Sequence, residues 1–433
     1  MPLSETLRAE WSLHPFYQKH TSVTGLLIMG SERVHNAALR EAAYIVSRLL
    51  AERPDILETM RTQGVRIVVM AATEYTTDVP EHAHLKPRMY WDRRARGLGG
   101  RITSCGEENL LAFPGDPYAG ESILIHEFAH AIDSVALRRL DPGFRDRLRT
   151  RFQQATTAGL WQGTYAAANP GEYWAEGVQS WFDANRSNDA HHNHVDTREE
   201  LKAYDPGLAA LCAEVFGPNP WRYRPLHRRT EADKAHLLDF DAAQAPRFQW
   251  REYPVGNHPR VRFETEFGSI EVELQAQEVP LATQQFLRAV LEGGYRGGAL
   301  RPAEDVIHSG KSTDRLRVLE LQSGSAMHES IRIREGTSVP SAPHANKAPR
   351  KVSLKPGTLL FAPAGSIEEA GRWFFWLGNE PARNGVSQLG LSRMISVGQV
   401  VEGLDVLEKI AAHMASRPVE SAPVMIQGAF RVE

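Results

Sequence analysis

Cysteine is almost missing from this chain: two residues, Cys105 and Cys212, among 433. That rules out a disulfide-stapled scaffold and a zinc ribbon, and leaves room for one disulfide at most. Long apolar runs are missing too. The longest, Gly25–Gly30 and Val65–Ala72, have the length of strands, not the roughly 20 residues that cross a bilayer, so no membrane span is expected. Charge of one sign is scarce: the net charge is −3, which argues against a general nucleic-acid binder despite local arginine clusters. The opening M-P-L-S-E-T-L-R lacks the basic-then-apolar layout of a signal peptide. A soluble protein is expected, secreted or periplasmic if a leader was removed and cytoplasmic otherwise. At this length two or three domains are expected.

What is present is histidine in a telling arrangement. The stretch Glu121–Asp133 reads E-S-I-L-I-H-E-F-A-H-A-I-D. On an α-helix, His126 and His130 lie one turn apart on the same face, and Glu127 stands beside them. That spacing brings two imidazoles to one metal ion, with a carboxylate in reach of water there. Zinc is the natural candidate, because imidazole suits it and catalytic sites take three protein ligands and leave a fourth position open. Ile123, Leu124, Phe128 and Ile132 supply the apolar stripe of such a helix. Chance would produce the five-residue pattern in on the order of a few per cent of histidine-rich chains of this size, so the downstream context decides.

That context is Tyr165–Asp183, where Glu172 and Glu176 fall four residues apart behind Pro170, a residue suited to a helix start. Two acids on a helix that also carries Trp174, Val178 and Trp181 are costly to bury unless something positive faces them. The competing reading is a solvated acidic face. Taken together, His126–His130, Tyr165 seven residues before Glu172, and E-Y-W-A-E resemble the catalytic domain of the anthrax lethal factor type of zinc peptidase and the related Pro-Pro endopeptidases. The resemblance covers about Pro114 to Asn185. It implies that His126, His130 and Glu172 bind Zn2+, that Glu127 is the general base, that Tyr165 steadies the oxyanion, and that Glu176 stands behind the ligands. Asp133, three residues beyond His130, is expected to orient a ligand through its second ring nitrogen.

Around this stretch, Arg33–Arg53 has helical periodicity closed by Pro54, Asp55–Thr62 a shorter helix, and Val65–Ala72 a buried strand. Thr73–Gly100 reads mainly as loop; His82 and His84 in it invite a second metal, with a solvated surface the stronger alternative. Asn109–Phe113 looks like a strand that can edge the cleft and pair with an extended peptide. His191, His192 and His194 lie in a polar stretch and read as loop histidines. T-R-E-E at Thr197 forms a capping box for a helix running to Phe216. The expected organisation is a first domain over 1–225, a connector over 226–257 that can wrap that domain through Phe248 and Trp250, and a third segment over 258–433.

The last segment differs in kind. R-V-R-F-E-T-E-F-G-S-I-E-V-E-L alternates apolar and polar on both sides of Gly268-Ser269, a hairpin with one buried face, and a helix follows from Pro280. Together with V-P-L-A-T-Q-Q-F, L-K-P-G-T-L-L-F-A, W-F-F-W-L-G and G-Q-V-V-E-G-L-D-V-L-E-K-I, this resembles a cyclophilin, the prolyl isomerase barrel. Counted from Tyr295, the family's catalytic arginine falls on Pro302, with Arg301 one place early, and its pocket histidine falls on Met394. Phe374 and Phe375 match the aromatic pair, and Gln322 the glutamine. The resemblance therefore implies a peptide-binding module with a degenerate pocket at Arg301, Gln322, Phe374 and Phe375, isomerase activity being the lesser expectation.

The expected whole is an α+β zincin-like metallopeptidase domain followed by an all-β cyclophilin-like barrel with a helix, acting on a peptide or protein substrate with no nucleic-acid partner. Three readings compete with this: a peptide-binding scaffold with structural zinc, a prolyl isomerase with an inert first domain, and a zinc hydrolase of a non-peptide amide or ester.

Overall fold

The computed structural model describes residues 2–189, 191–237, 240–254, 256–291, 293–303, 318–323, 354–362, 372–378, 394–416 and 423–432, with 281 and 362 described in backbone only. The chain divides into two compact units, Met1–Glu252 and Tyr253–Glu433.

The first unit is built on a five-stranded sheet in the order β1-β2-β3-β5-β4. Its strands are β1 (Lys19–Val23), β2 (Leu26–Gly30), β3 (Arg66–Met70), β4 (Gly97–Leu98) and β5 (Ile102–Gly106). β2, β3 and β5 are parallel neighbours, and β1 and β4 run antiparallel at the two edges. Because side chains alternate across a strand, β2 and β3 feed two cores. Leu26, Ile28, Ile67 and Val69 face one core, while Leu27, Met29, Val68 and Met70 face the other. The first and larger core receives helices Asn36–Leu49, Pro54–Thr62, Ile123–Ala131 and Pro170–Trp181.

Several local readings change. Asn109–Phe113 is not a strand: Glu107–Leu110 is a short helix, and the Asn109 side chain is buried. Asn109 donates to Asp116 and to the carbonyls of Tyr118 and Glu121, and accepts from Ile123 N at 2.9 Å. The apolar L-L-A-F run thus serves packing, and the edge strand beside β5 is Gly97–Leu98, inside the stretch read as loop. The expected helix from Thr197 to Phe216 is two, Arg198–Tyr204 and Pro206–Phe216. Pro206 has no N–H to continue the first helix, and Asp205 caps the second by accepting from Leu208 N.

The stretch read as a connector belongs to the first unit as far as Glu252. Arg229 and His236 both reach the fully buried Glu41 carboxylate at 2.6 Å, and Leu226, Leu237 and Phe248 join the main core.

The second unit is a closed barrel of eight strands in the order β10-β11-β9-β8-β13-β6-β7-β12, every pair antiparallel. They are β6 (Arg260–Thr265), β7 (Gly268–Leu274), β8 (Ala299–Pro302), β9 (Val318–Gln322), β10 (Thr358–Ala362), β11 (Arg372–Trp376), β12 (Ile395–Glu402) and β13 (Val424–Arg431). The first hairpin turns at Glu266–Phe267, two places before the expected Gly268-Ser269; Gly268, at φ 126°, opens β7 opposite Thr265. Val261, Phe263, Val272, Leu319, Leu321 and Phe375 fill the interior with Phe286 of helix Pro280–Leu291 and Leu407 of helix Leu404–Ala415. Among the described residues no helix is long and apolar enough to cross a membrane.

Candidate metal centre

Two helices build the centre. The histidine helix, Ile123–Ala131, starts at Ser122, whose hydroxyl accepts from Ile125 N. The glutamate helix, Pro170–Trp181, starts at Asn169, whose side chain accepts from Gly171 N and Glu172 N, with Pro170 at its first position. The fully buried Trp174 fixes how the two lie together by donating its indole N–H to the Ala129 carbonyl at 3.0 Å.

This packing brings three donor atoms to one point. Glu172 Oε2 lies 3.0 Å from His126 Nε2 and 3.3 Å from His130 Nε2, and the two Nε2 atoms are 3.3 Å apart. Bonds of about 2.0–2.1 Å in a tetrahedron put neighbouring ligand atoms about 3.3–3.4 Å apart, so the triangle fits one such ion. These three form the one group of metal-competent side chains found among the described residues.

The electrostatics match. Burial works against the charged form of His126, but the hydrogen bond to Glu172 and the charges of Glu127, Glu172 and Glu176 outweigh it and hold the imidazolium well above its ordinary range. Burial likewise opposes the Glu172 carboxylate, yet the bonds from His126 and His130 keep it below the usual carboxylate range. Glu127 differs: burial raises it, with His126 and His130 pulling the other way. A carboxylate so raised accepts a proton more readily.

Tyr165 lies on the turn before the glutamate helix, held by its backbone N–H to the His191 carbonyl at 2.8 Å. Its ring stacks 6.1 Å from that of His126. Burial raises the phenol, as does the Glu172 charge, and Arg94 opposes both through a side-chain hydrogen bond. A guanidinium only donates, so the phenol oxygen accepts and its own proton stays available.

Of the predicted residues, His126, His130, Glu172, Glu127 and Tyr165 come together. Asp133 does not join them. The helix widens into a π-type turn over Ile132–Leu137, and the Asp133 carboxylate takes both arms of Arg145 at 3.2 and 3.3 Å instead; a charged donor outcompetes an imidazole N–H. Glu176 is buried behind His126, 3.5 Å from its Nδ1, but accepts from Asn185 at 2.9 Å and faces His192 at 3.4 Å.

Sequence reading missed Gln179, whose Oε1 is 2.8 Å from His126 Nδ1. The signal was the spacing 172, 176, 179, which repeats along one helical face. It also missed Arg94, hidden in a stretch read as loop, and the burial of His192, which lies in the expected loop but is buried, as is His191. His82 is buried against Ser104 Oγ at 3.2 Å, and His84 and His194 are exposed. Cys105 and Cys212 are both buried and free.

The edge strand comes close to this centre. A Cβ on Gly97 would meet Ile123 Cγ2 at 2.5 Å and Glu127 Cγ at 2.9 Å, and one on Gly99 would meet His130 Cβ at 2.5 Å. Arg96, directly before Gly97, is fully buried in an ion pair with Glu108 at 2.6 Å, which anchors the strand.

In the barrel, β8, β9 and β11 align Arg301, Glu320 and Phe374 in one cross-strand row. Leu300 and Leu319 face the interior, so this row is on the barrel's outer face, where Phe374 is buried in a second cluster with Val318, Leu354, Leu360 and Trp376. Gln322 shares that face and donates to Glu320 at 3.3 Å, and Arg372 donates to Glu320 at 2.6 Å. Phe375 points into the barrel core. The expected pocket of four is therefore split: Arg301, Gln322 and Phe374 lie outside and Phe375 inside.

Residues 260–429 match the family model "Cyclophilin type peptidyl-prolyl cis-trans isomerase/CLD". Among solved structures, the chain is similar to the Pro-Pro endopeptidase PPEP-2 from Paenibacillus alvei, at 22% identity and a TM-score of 0.32 over 45% of this chain and 98% of that one. It is similar also to a cyclophilin type peptidyl-prolyl cis-trans isomerase from Cryptosporidium parvum, at 14% identity and 0.27 over 40% and 97%. The Mimivirus cyclophilin matches at 18% identity and 0.28 over 41% and 91%. No curated protein matches the chain. The second unit is thus a cyclophilin-like domain, and the chain has a Pro-Pro endopeptidase among its structural neighbours.

Proposed function

We propose that the first unit is a zinc-dependent endopeptidase. The observation that carries this is the triangle of His126 Nε2, His130 Nε2 and Glu172 Oε2, with sides of 3.0–3.3 Å, flanked by a carboxylate with a raised pKa. Zinc held there supplies a Lewis acid that acidifies water and polarises a carbonyl. His126, His130 and Glu172 hold the ion. Glu127 takes the proton of the attacking water and passes it to the leaving amine. Tyr165 donates its phenol proton to the oxygen that becomes negative, while Arg94 occupies the phenol's lone pair. The short strand β4 lies at the sheet's edge beside Glu127, with Gly99 just after it against His130, where an extended peptide can add as a further strand; this role passes to Gly97–Leu98 from Asn109–Phe113.

Cleavage profiling on a proteome-derived peptide library tests the proposal. Wild-type protein is expected to cleave a defined subset, and both Glu127→Gln and chelator-treated protein to cleave none. A wild-type profile equal to that of Glu127→Gln would overturn it.

The second unit supports a second reading, a prolyl isomerase or peptide-binding module, favoured by the family match over 260–429 and by Arg301 and Phe374 lying in one outer row. The whole chain should then speed cis–trans exchange of an X-Pro peptide, with Arg301→Ala reducing the rate; no acceleration above the uncatalysed rate leaves binding alone.

A further inference from the structure

Metal-bound histidines commonly give their second ring proton to a carboxylate, which fixes the tautomer. With Asp133 turned to Arg145, Glu176, which the family resemblance sets behind the ligands, is the carboxylate left for that role. The geometry assigns it elsewhere: we propose that Gln179 is the positioning residue for His126, taking the Nδ1 proton and so turning Nε2 toward the metal. The inference rests on the reading of His126, His130 and Glu172 as zinc ligands.

Distance favours Gln179, at 2.8 Å from Nδ1 against 3.5 Å for Glu176. Orientation is also settled. Gln179 is completely buried, and its amide nitrogen faces three oxygens: Glu121 Oε2 at 3.2 Å, the Ser122 carbonyl at 3.3 Å and the Ala184 carbonyl at 3.4 Å. Turning the amide over would set an oxygen against three oxygens, so Oε1 must face His126, and Nδ1 must be the donor. The Glu121 carboxylate that holds the amide is itself buried and paired with Arg186 at 2.6 Å. A relay therefore runs Arg186–Glu121–Gln179–His126 from a guanidinium to the ligand. It explains why an amide stands here: a carboxylate at 179 would face Glu121 across about the same gap, like charge to like. Glu176 meanwhile is occupied by Asn185 and His192.

The test uses the full-length protein and zinc alone, titrated against a chromophoric chelator. Wild-type protein must first bind one zinc; if it does not, the metal reading fails and this inference with it. Given that binding, Gln179→Met should weaken zinc about 10–100-fold, and Glu176→Gln less than about threefold. Equal losses, or the reverse order, overturn the role of Gln179 and leave the zinc site standing. Should Gln179→Met not fold, long-range 1H–15N spectra of zinc-loaded protein labelled at histidine decide. Protonated, slowly exchanging Nδ1 of His126 in both wild type and Glu176→Gln is the expected result. A proton on Nε2, or loss of its protection in Glu176→Gln, is the contrary one.

Discussion

Glu172 Oε2 stands 3.0 Å from His126 Nε2, although 46 residues separate the two in the chain. The contact exists because the buried Trp174, two residues after Glu172, donates to the Ala129 carbonyl, three residues after His126. The indole thereby sets the register of one helix on the other. Everything proposed for the first unit follows from that juxtaposition.

Replacing Glu127 by Gln removes the proton acceptor and none of the three ligand atoms. Turnover should fall about 10²–10⁴-fold with zinc stoichiometry unchanged, measured by peptide cleavage and elemental analysis on one preparation. Retained hydrolysis would exclude Glu127 as the base.

Tyr165→Phe deletes one oxyanion donor. The expected loss is about 10²–10³-fold in kcat, with KM and zinc affinity nearly unmoved. Because Arg94 bonds to the same phenol, Arg94→Met should lower kcat less when combined with Tyr165→Phe than it does alone. Additive losses would show that the two act separately.

The approach of β4 and of Gly99, the residue after it, to the histidine helix requires glycine. A methyl at position 99 would stand 2.5 Å from His130 Cβ and 2.8 Å from the Glu127 carbonyl, neither at the end of a flexible side chain. Gly99→Ala should cost about 1–3 kcal/mol of stability and weaken zinc binding, read by thermal denaturation and chelator competition. An unchanged midpoint would mean that the strand moves away freely.

Burial alone would lower the His192 pKa, but Asp189 Oδ1 at 2.8 Å and Glu176 raise it to about 9. A histidine raised on folding contributes stability that is complete below its unfolded value of about 6.5 and lost as pH rises through about 9. His192→Gln should thus be destabilised relative to wild type, by on the order of 1–3 kcal/mol at pH 6, and the gap should close by about pH 10. A gap independent of pH would show that His192 stays neutral.

The parts of this protein legible in its sequence are those set by local periodicity. His126 and His130, or Glu172 and Glu176, share a face because one helix carries both, and the 260–274 hairpin shows its alternation directly. What escaped depends on packing between distant segments. Gln179 matters because the histidine helix lies on it. Asp133 was misassigned because a π-type turn intervenes and Arg145 arrives from the next helix. Asn109–Phe113 reads as a strand by composition, but Asn109 is committed to pinning the loop before the histidine helix. Phe375 matched its family by position, while the register of β11 against β9 turns it inward.

The metal content of the purified protein, never exposed to chelator, tests the account most directly. One zinc per chain in wild type, falling to near zero in Glu172→Ala with the fold intact by circular dichroism, is the predicted result. A folded wild-type protein without stoichiometric metal, unable to take up zinc when it is supplied, would contradict it.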